Sequence, residues 1–210
     1  MNQTELLQKV KETKIVPVVK LDRVEDTTPL CEALIEGGLP IAEITFRTEA
    51  AEGAIKLASQ KFSNMLVGAG TIVNVEQAKR AVAAGATFLV SPGFSRTITE
   101  FAASQNIPIF PGVATPTEIM MMMEYDLPVA KFFPAKQFGG LNTLKAFAAA
   151  FPSINFMPTG GIDATNILEY LAFDKIVACG GSWMVKGDLI DSGNFAEIAR
   201  LTKEAMALVK

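Results

Sequence analysis

Histidine is absent from all 210 residues. That absence removes Ser-His-Asp triads, Cys-His pairs, imidazole general acids and histidine-based metal sites. Acid–base chemistry is left to carboxylates, lysine, tyrosine or water. Cysteine is nearly absent too. Cys31 and Cys179 stand far apart, outside any C-x-x-C pair, each in an apolar stretch. Buried free thiols are the expected state, and a reducing cytoplasm suits them. No stretch approaches the length needed to span a bilayer, and the polar, helix-like N-terminal segment has no apolar leader core. Nor is charge of one sign concentrated anywhere. The net charge is −3 with acids and bases interspersed, so no nucleic-acid stripe and no polybasic membrane patch is expected.

What remains is ordinary globular composition, with 50% hydrophobic and 20% charged residues. The length suits a single domain over 1–210. Apolar, β-rich runs recur eight times, at Ile15–Val19, Ile41–Phe46, Leu66–Ala69, Phe88–Val90, Pro108–Phe110, Val129–Phe133, Ile154–Met157 and Ile176–Cys179. Helical patterns of roughly 10–15 residues separate them, which argues for βαβ units on a parallel sheet. Thr115-Pro-Thr-Glu118 has the form of a capping box with proline at the first helical position. The pattern predicts an α/β fold: one compact (β/α)8 TIM barrel with a short N-terminal helix. An open doubly wound sheet is the alternative, but no G-x-G-x-x-G turn follows the first strand. The Met120–Met123 run on a predicted helix suits core filling or a subunit contact.

Active-site groups of such barrels lie at the carboxyl ends of the strands. Those ends hold Lys20, Glu43 to Arg47, Gly70-Thr71, Ser91-Pro92-Gly93, Pro111-Gly112, Lys131 to Phe133, Thr159-Gly160-Gly161 and Gly180-Gly181-Ser182. Lys131 is the oddest of them, a lone charge inside an apolar, proline-bounded run. A desolvated lysine tends to shed its proton and become a nucleophilic amine. Alternatively, Lys131 ends the strand and reaches water or a carboxylate. Strand alternation places Glu43 and Lys131 both inward, near the top of one narrow barrel. A structural ion pair of Glu43 with Arg47 or Lys131 is one reading. The other is Schiff-base chemistry, with the carboxylate shuttling protons in place of histidine. Arg47 suits a carboxylate ligand, or a surface salt bridge with Glu49. The glycine pairs after the last two strands suit either tight turns or backbone amides facing a phosphate, with Ser182 and Lys20 adding a hydroxyl and a charge.

These motifs, taken together, resemble the bacterial class I aldolases that cleave 2-keto-3-deoxy-6-phosphogluconate, often bifunctional with 4-hydroxy-2-oxoglutarate aldolase. The resemblance is carried by Ile15-Val-Pro-Val-Val19, Ala42-Glu-Ile-Thr-Phe-Arg-Thr48, Val67-Gly-Ala-Gly-Thr71, Ser91-Pro-Gly93, Phe110-Pro-Gly112, Lys131-Phe-Phe-Pro-Ala135, Pro158-Thr-Gly-Gly-Ile162 and Gly180-Gly-Ser-Trp183. It implies a Schiff-base lysine at Lys131 and a general acid/base at Glu43. It implies pyruvate-carboxylate contacts from Arg47 and Thr71, a pocket lined by Pro92 and Phe133, and phosphate contacts at Gly160, Gly161, Gly181 and Ser182, beside Thr159. It further implies a cytoplasmic homotrimer that needs neither metal nor other cofactor, acting on a phosphorylated 2-keto-3-deoxy acid and releasing pyruvate. Two positions near the mouth of the site differ from other members: Lys20 takes a place that can hold arginine, and Lys136 follows Pro134-Ala135 where an acid is common. The alternatives are an aldolase for an epimeric 2-keto-3-deoxy-6-phospho sugar acid, a phosphosugar epimerase that forms no imine, or a non-catalytic phosphometabolite-binding barrel.

Overall fold

The computed structural model describes residues 2–210. A helix at Gln3–Thr13 precedes β1 (Ile15–Val19). The further strands are β2 (Ile41–Thr45), β3 (Leu66–Gly70), β4 (Phe88–Val90), β5 (Ile109–Phe110), β6 (Gly112–Val113), β7 (Val129–Phe132), β8 (Asn155–Pro158) and β9 (Cys179–Gly181). Helices fill most of the connections, and every strand pair is parallel. Parallel strands need such crossovers, and the helices cover the outer faces. The fold is therefore α/β on a parallel sheet. β1 to β5 lie side by side in sequence order, without the reversal that a doubly wound sheet requires.

Regular ladders form two sheets rather than one of eight strands. Six strands run in the order β5-β4-β3-β2-β1-β9, and three in the order β6-β7-β8. Pro111 separates β5 from β6. It has no N–H to donate, so the ladder is interrupted there. On either side of it the chain changes partner, β5 pairing with β4 and β6 with β7. The Pro111 carbonyl still accepts the Lys131 amide at 2.8 Å. Between β8 and β9 two isolated parallel bridges, Phe156 with Ile176 and Thr159 with Gly180, join the sheets on the other side.

The predicted strands are found with small shifts. One shift matters for function. The last strand was expected at Ile176–Cys179, with Gly180-Gly181 in the turn beyond it. β9 instead starts at Cys179, whose amide donates to the Lys14 carbonyl at 2.9 Å, in register with the start of β1. Gly180 and Gly181 are therefore strand residues. Side-chain bulk explains them: a Cβ on Gly180 would overlap the Thr159 hydroxyl, and one on Gly181 the Trp183 ring.

Strand register carries one face across the whole assembly. Val18 pairs with Glu43, and Glu43 with Gly68. Gly112 pairs with Lys131, and Lys131 with Met157. Partners in a parallel pair share a face, so the inward positions of Glu43 and Lys131 expected from alternation are those observed. Phe88 and Phe110 pack edge to face at 6.2 Å on this inner side. A Cβ on Gly68 would overlap the Phe88 ring, so glycine there makes room for a ring that fills the interior.

The capping box at Thr115 and Glu118 forms as the sequence predicts. On that helix Ile119 and Met122 are buried, while Met120, Met121 and Met123 face outward. Both cysteines are buried and unpaired. Burial pushes both thiols up to about 12, Cys31 with help from Glu32. At pH 8 a thiol-specific disulfide reagent is accordingly expected to label native protein at no more than a few per cent of its rate in denaturant. Rapid labelling of either cysteine in the native state would contradict this burial.

Candidate active site

β2 and β7 each place one ionisable side chain in the interior. Glu43 is fully buried and Lys131 is 4% exposed. The Lys131 ammonium nitrogen Nζ donates to Glu43 Oε1 at 3.1 Å. Taking such a pair out of water is costly, and only good geometry with further hydrogen bonds offsets it. Here the satisfaction is incomplete. Glu43 Oε2 has no partner among the described residues, and neither has the buried hydroxyl of Thr159, just past the end of β8. Buried, unpaired oxygens are what an incoming ligand or water would satisfy. The Phe133 ring lies 5.4 Å from the Lys131 nitrogen and is 36% exposed, so one aromatic face walls the amine on the open side.

Glycine makes the space that the carboxylate occupies. A Cβ on Gly70 would overlap Glu43 Oε1. The next residue, Thr71, has φ +56. A β-branched side chain in that region is a true outlier, strained by about 1–3 kcal/mol, and such strain collects at functional sites. The strain turns the chain at the end of β3, beside the Glu43 carboxylate.

At the same end of the sheets opens a cleft of about 490 Å³. Val18, at the register of Glu43, is one of its lining residues, with Lys20, Arg47, Gly161, Ser182 and Trp183 around it. Arg47 is exposed and donates through Nε to the Thr45 hydroxyl at 3.0 Å, which itself donates to the Val19 carbonyl at 2.8 Å. No carboxylate pairs with Arg47 among the described residues, so the salt bridge with Glu49 does not form and the rest of the guanidinium fork is open. Lys20 is held by Asp22 at 2.6 Å.

Gly160 and Gly161 both adopt left-handed conformations, with φ +100 and +76. Their carbonyls are tied back, Gly160 accepting from the Lys136 amide at 3.0 Å and Gly161 from Asn166 Nδ2 at 2.9 Å. Among the described residues their amides meet no acceptor. Successive free amides in this conformation form a concave anion site. Asp163, just beyond, is held below the ordinary carboxylate range. The Thr165 hydroxyl does most of this, then the Thr165 amide, and the charge of Lys136 adds to it.

The structure thus gathers Lys20, Glu43, Arg47, Thr71, Lys131, Phe133, Thr159, Gly160, Gly161, Gly181 and Ser182 at one end of the sheets. Pro92 lies at the same end, where a Cβ on Gly112 of β6 would overlap its carbonyl. A separate cleft of about 540 Å³ opens beside Lys14 and Val209 and contains none of these residues. Sequence reasoning placed Gly70 and Thr45 at the strand ends but assigned neither a role. The glycine has a signal in hindsight, standing directly across the ladder from a strand that carries a buried acid.

Comparison with known proteins agrees with this arrangement. The family described as "KDPG and KHG aldolase" matches residues 6–201. A 2-dehydro-3-deoxy-phosphogluconate aldolase of Treponema pallidum (strain Nichols) is 42% identical over 204 residues, covering 97% of each chain. The KDPG aldolase of Legionella pneumophila, solved with pyruvate captured at low pH as a covalent carbinolamine intermediate, matches with a TM-score of 0.91 at 37% identity, over 94% of this chain and 96% of that one. The 2-keto-3-deoxy-6-phosphogluconate aldolase of Zymomonas mobilis ZM4, solved with 3-phosphoglycerate, matches with a TM-score of 0.92 at 36% identity, over 98% and 97%. Fold and sequence therefore define an aldehyde-forming lyase of the Schiff-base class. The chain belongs to the KDPG and KHG aldolase family.

The Gly70 contact gives a direct test of the site. Gly70→Ala is expected to cost about 1–3 kcal/mol of stability in chemical denaturation, as overpacking does. It should lower turnover by about 10²-fold, because Glu43 must move by an ångström or more. Unaltered turnover would show that the Glu43 position is not required.

Proposed function

We propose that this protein cleaves 2-keto-3-deoxy-6-phosphogluconate to pyruvate and glyceraldehyde 3-phosphate through an imine on Lys131. The observation that carries this reading is the buried 3.1 Å contact between the Lys131 amine and the Glu43 carboxylate in a protein without histidine. In the proposed sequence Lys131 passes a proton to Glu43, and its lone pair attacks the C2 ketone. Glu43 returns that proton to the carbinolamine hydroxyl, which leaves as water to give an iminium and a free carboxylate. Glu43, acting through a water, takes the C4 hydroxyl proton. The C3–C4 bonding electrons move into the iminium, which releases the aldehyde and leaves an enamine. Protonation at C3 and hydrolysis then return the lysine and free pyruvate. The pyruvate carboxylate falls to Arg47, whose open fork matches it, and to Thr71. Pro92 and Phe133 wall the apolar side. The distal phosphate falls to the amides of Gly160 and Gly161, with Gly181, Ser182, Thr159 and Lys20 around it. The same chemistry accommodates 4-hydroxy-2-oxoglutarate, giving pyruvate and glyoxylate, because its C2–C4 skeleton is alike.

Further readings belong to the same proposal. The nine strand segments act as eight strands of a closed (β/α)8 barrel in one domain over 1–210, β5 and β6 counting as one strand bent at Pro111. The assembly is a cytoplasmic homotrimer. The outward Met120, Met121 and Met123 and the exposed Phe138 supply apolar surface for it. Light scattering at micromolar concentration should return about three times the 22.5 kDa chain mass, and a mass of one chain would refute the assembly.

Borohydride added with pyruvate should fix a covalent adduct on Lys131, located by peptide mass spectrometry. Lys131→Ala should abolish both adduct and cleavage. Full activity in that variant would overturn the assignment. Glu43→Gln should lower turnover by roughly 10²–10⁴-fold with the fold intact. Collapse of the fold in Glu43→Gln would instead mark the pair as structural.

A further inference from the structure

The cations at the mouth of the site differ in what holds them among the described residues. Lys20 is held by Asp22 at 2.6 Å. Arg47 donates into Thr45 and faces the interior of the cleft. Lys186 lines the same cleft; among the described residues it makes no ion pair, and its charge helps to hold the Glu197 carboxyl down. Lys136 is exposed, and among the described residues no carboxylate lies within ion-pair distance of it. Its backbone is nevertheless fixed. The Lys136 amide donates to the Gly160 carbonyl at 3.0 Å. Its stem lies against Gly161: a Cβ there would come within 2.5 Å of Lys136 Cβ and 2.8 Å of Cδ. The aliphatic part of the side chain is thus laid against Gly161, the second of the two glycines whose amides are free. The neighbouring Thr159 hydroxyl, 95% buried by its 5% residue exposure, also has no partner. An exposed ammonium therefore extends from a fixed backbone next to Gly161, in the turn that carries the two free amides.

We propose that Lys136 is a specificity-determining residue, whose ammonium closes over the distal phosphate of the substrate and sets the preference for a phosphorylated over an unphosphorylated tail. This rests on the function proposed above and adds a residue to it. The physical reason is charge. A phosphate near pH 7 carries close to two negative charges. A flexible lysine is a compact point charge that suits such a group. An uncharged hydroxyl tail gains almost nothing from it. Asp163, an acid that senses the Lys136 charge, accepts the Thr165 hydroxyl and amide at Oδ1 and makes no ion pair with Lys136 among the described residues, so the ammonium is free to turn to a ligand.

The test compares 2-keto-3-deoxy-6-phosphogluconate with 2-keto-3-deoxygluconate in the unaltered enzyme, Lys136→Gln, Lys136→Glu and Lys136→Arg. The ratio of kcat/KM for the phosphorylated over the unphosphorylated substrate should fall about 10-fold in Lys136→Gln, chiefly through KM, as expected for one charge-assisted contact. It should fall further in Lys136→Glu and largely recover in Lys136→Arg. Added salt should erode the preference in the unaltered enzyme more than in Lys136→Gln. A ratio within twofold of the unaltered enzyme in both Lys136→Gln and Lys136→Glu overturns the proposal. Borohydride trapping of pyruvate, which involves no phosphate, separates the two levels. Trapping that persists with an unchanged ratio condemns Lys136 alone, whereas an unaltered protein that neither traps pyruvate nor cleaves substrate overturns the underlying function as well.

Discussion

The contact between Lys131 and Glu43 is the constraint around which the interior is arranged. Two charges removed from water are a poor way to stabilise a fold, since well-packed apolar residues of similar volume do as well or better. The protein nevertheless reserves volume for them. Gly70 leaves room for the carboxylate, Gly68 for the Phe88 ring below it, and Thr71 holds a strained backbone at the end of the same strand. Gly70 in particular makes sense only if the acid must stand where it does. The unpartnered Glu43 Oε2 then reads as reserved acceptor capacity rather than a packing fault.

Geometry of the pair depends on register, not on any local motif. Glu43 and Lys131 are 88 residues apart in the chain. They meet because parallel pairing carries one face from β1 to β3 on one side and from β6 to β8 on the other. A slip of one residue in β2 or β7 would turn the charge out under a helix. Such a slip is opposed by the apolar residues on the alternate face, Ala42, Ile44, Ala130 and Phe132, all buried. The core and the chemistry thus specify the same register.

This double specification explains what the sequence discloses. Period-two alternation and helical spacing mark the strands, and the isolated charges in apolar runs mark Glu43 and Lys131. The inward direction of both follows from parity alone. Less legible were features set by partners distant in sequence. The start of β9 follows from β1, which the local run at Ile176 does not reveal. The partner change at Pro111 depends on which strands flank it. Gly180 and Gly181 look like turn glycines, yet their need for small size comes from Thr159 and Trp183 packing against them. Arg47 left two readings open, and only the spatial arrangement shows that Glu49 does not engage it.

The Lys131–Glu43 contact also has a consequence for electrostatic preorganisation. In the resting state the buried nitrogen is a cation beside a carboxylate, and the local sum of charge is zero. On the proposed role of Lys131, the iminium is again a cation on that nitrogen. Once Glu43 has returned its proton, the sum is zero once more. The surrounding dipoles therefore meet the same charge at the same atom before the substrate arrives and at the moment it is activated. A matrix already polarised toward the ammonium needs little reorientation to hold the iminium. The ion pair of the empty site is in this sense a template for the charged intermediate, with the substrate's carbon taking the place of a proton.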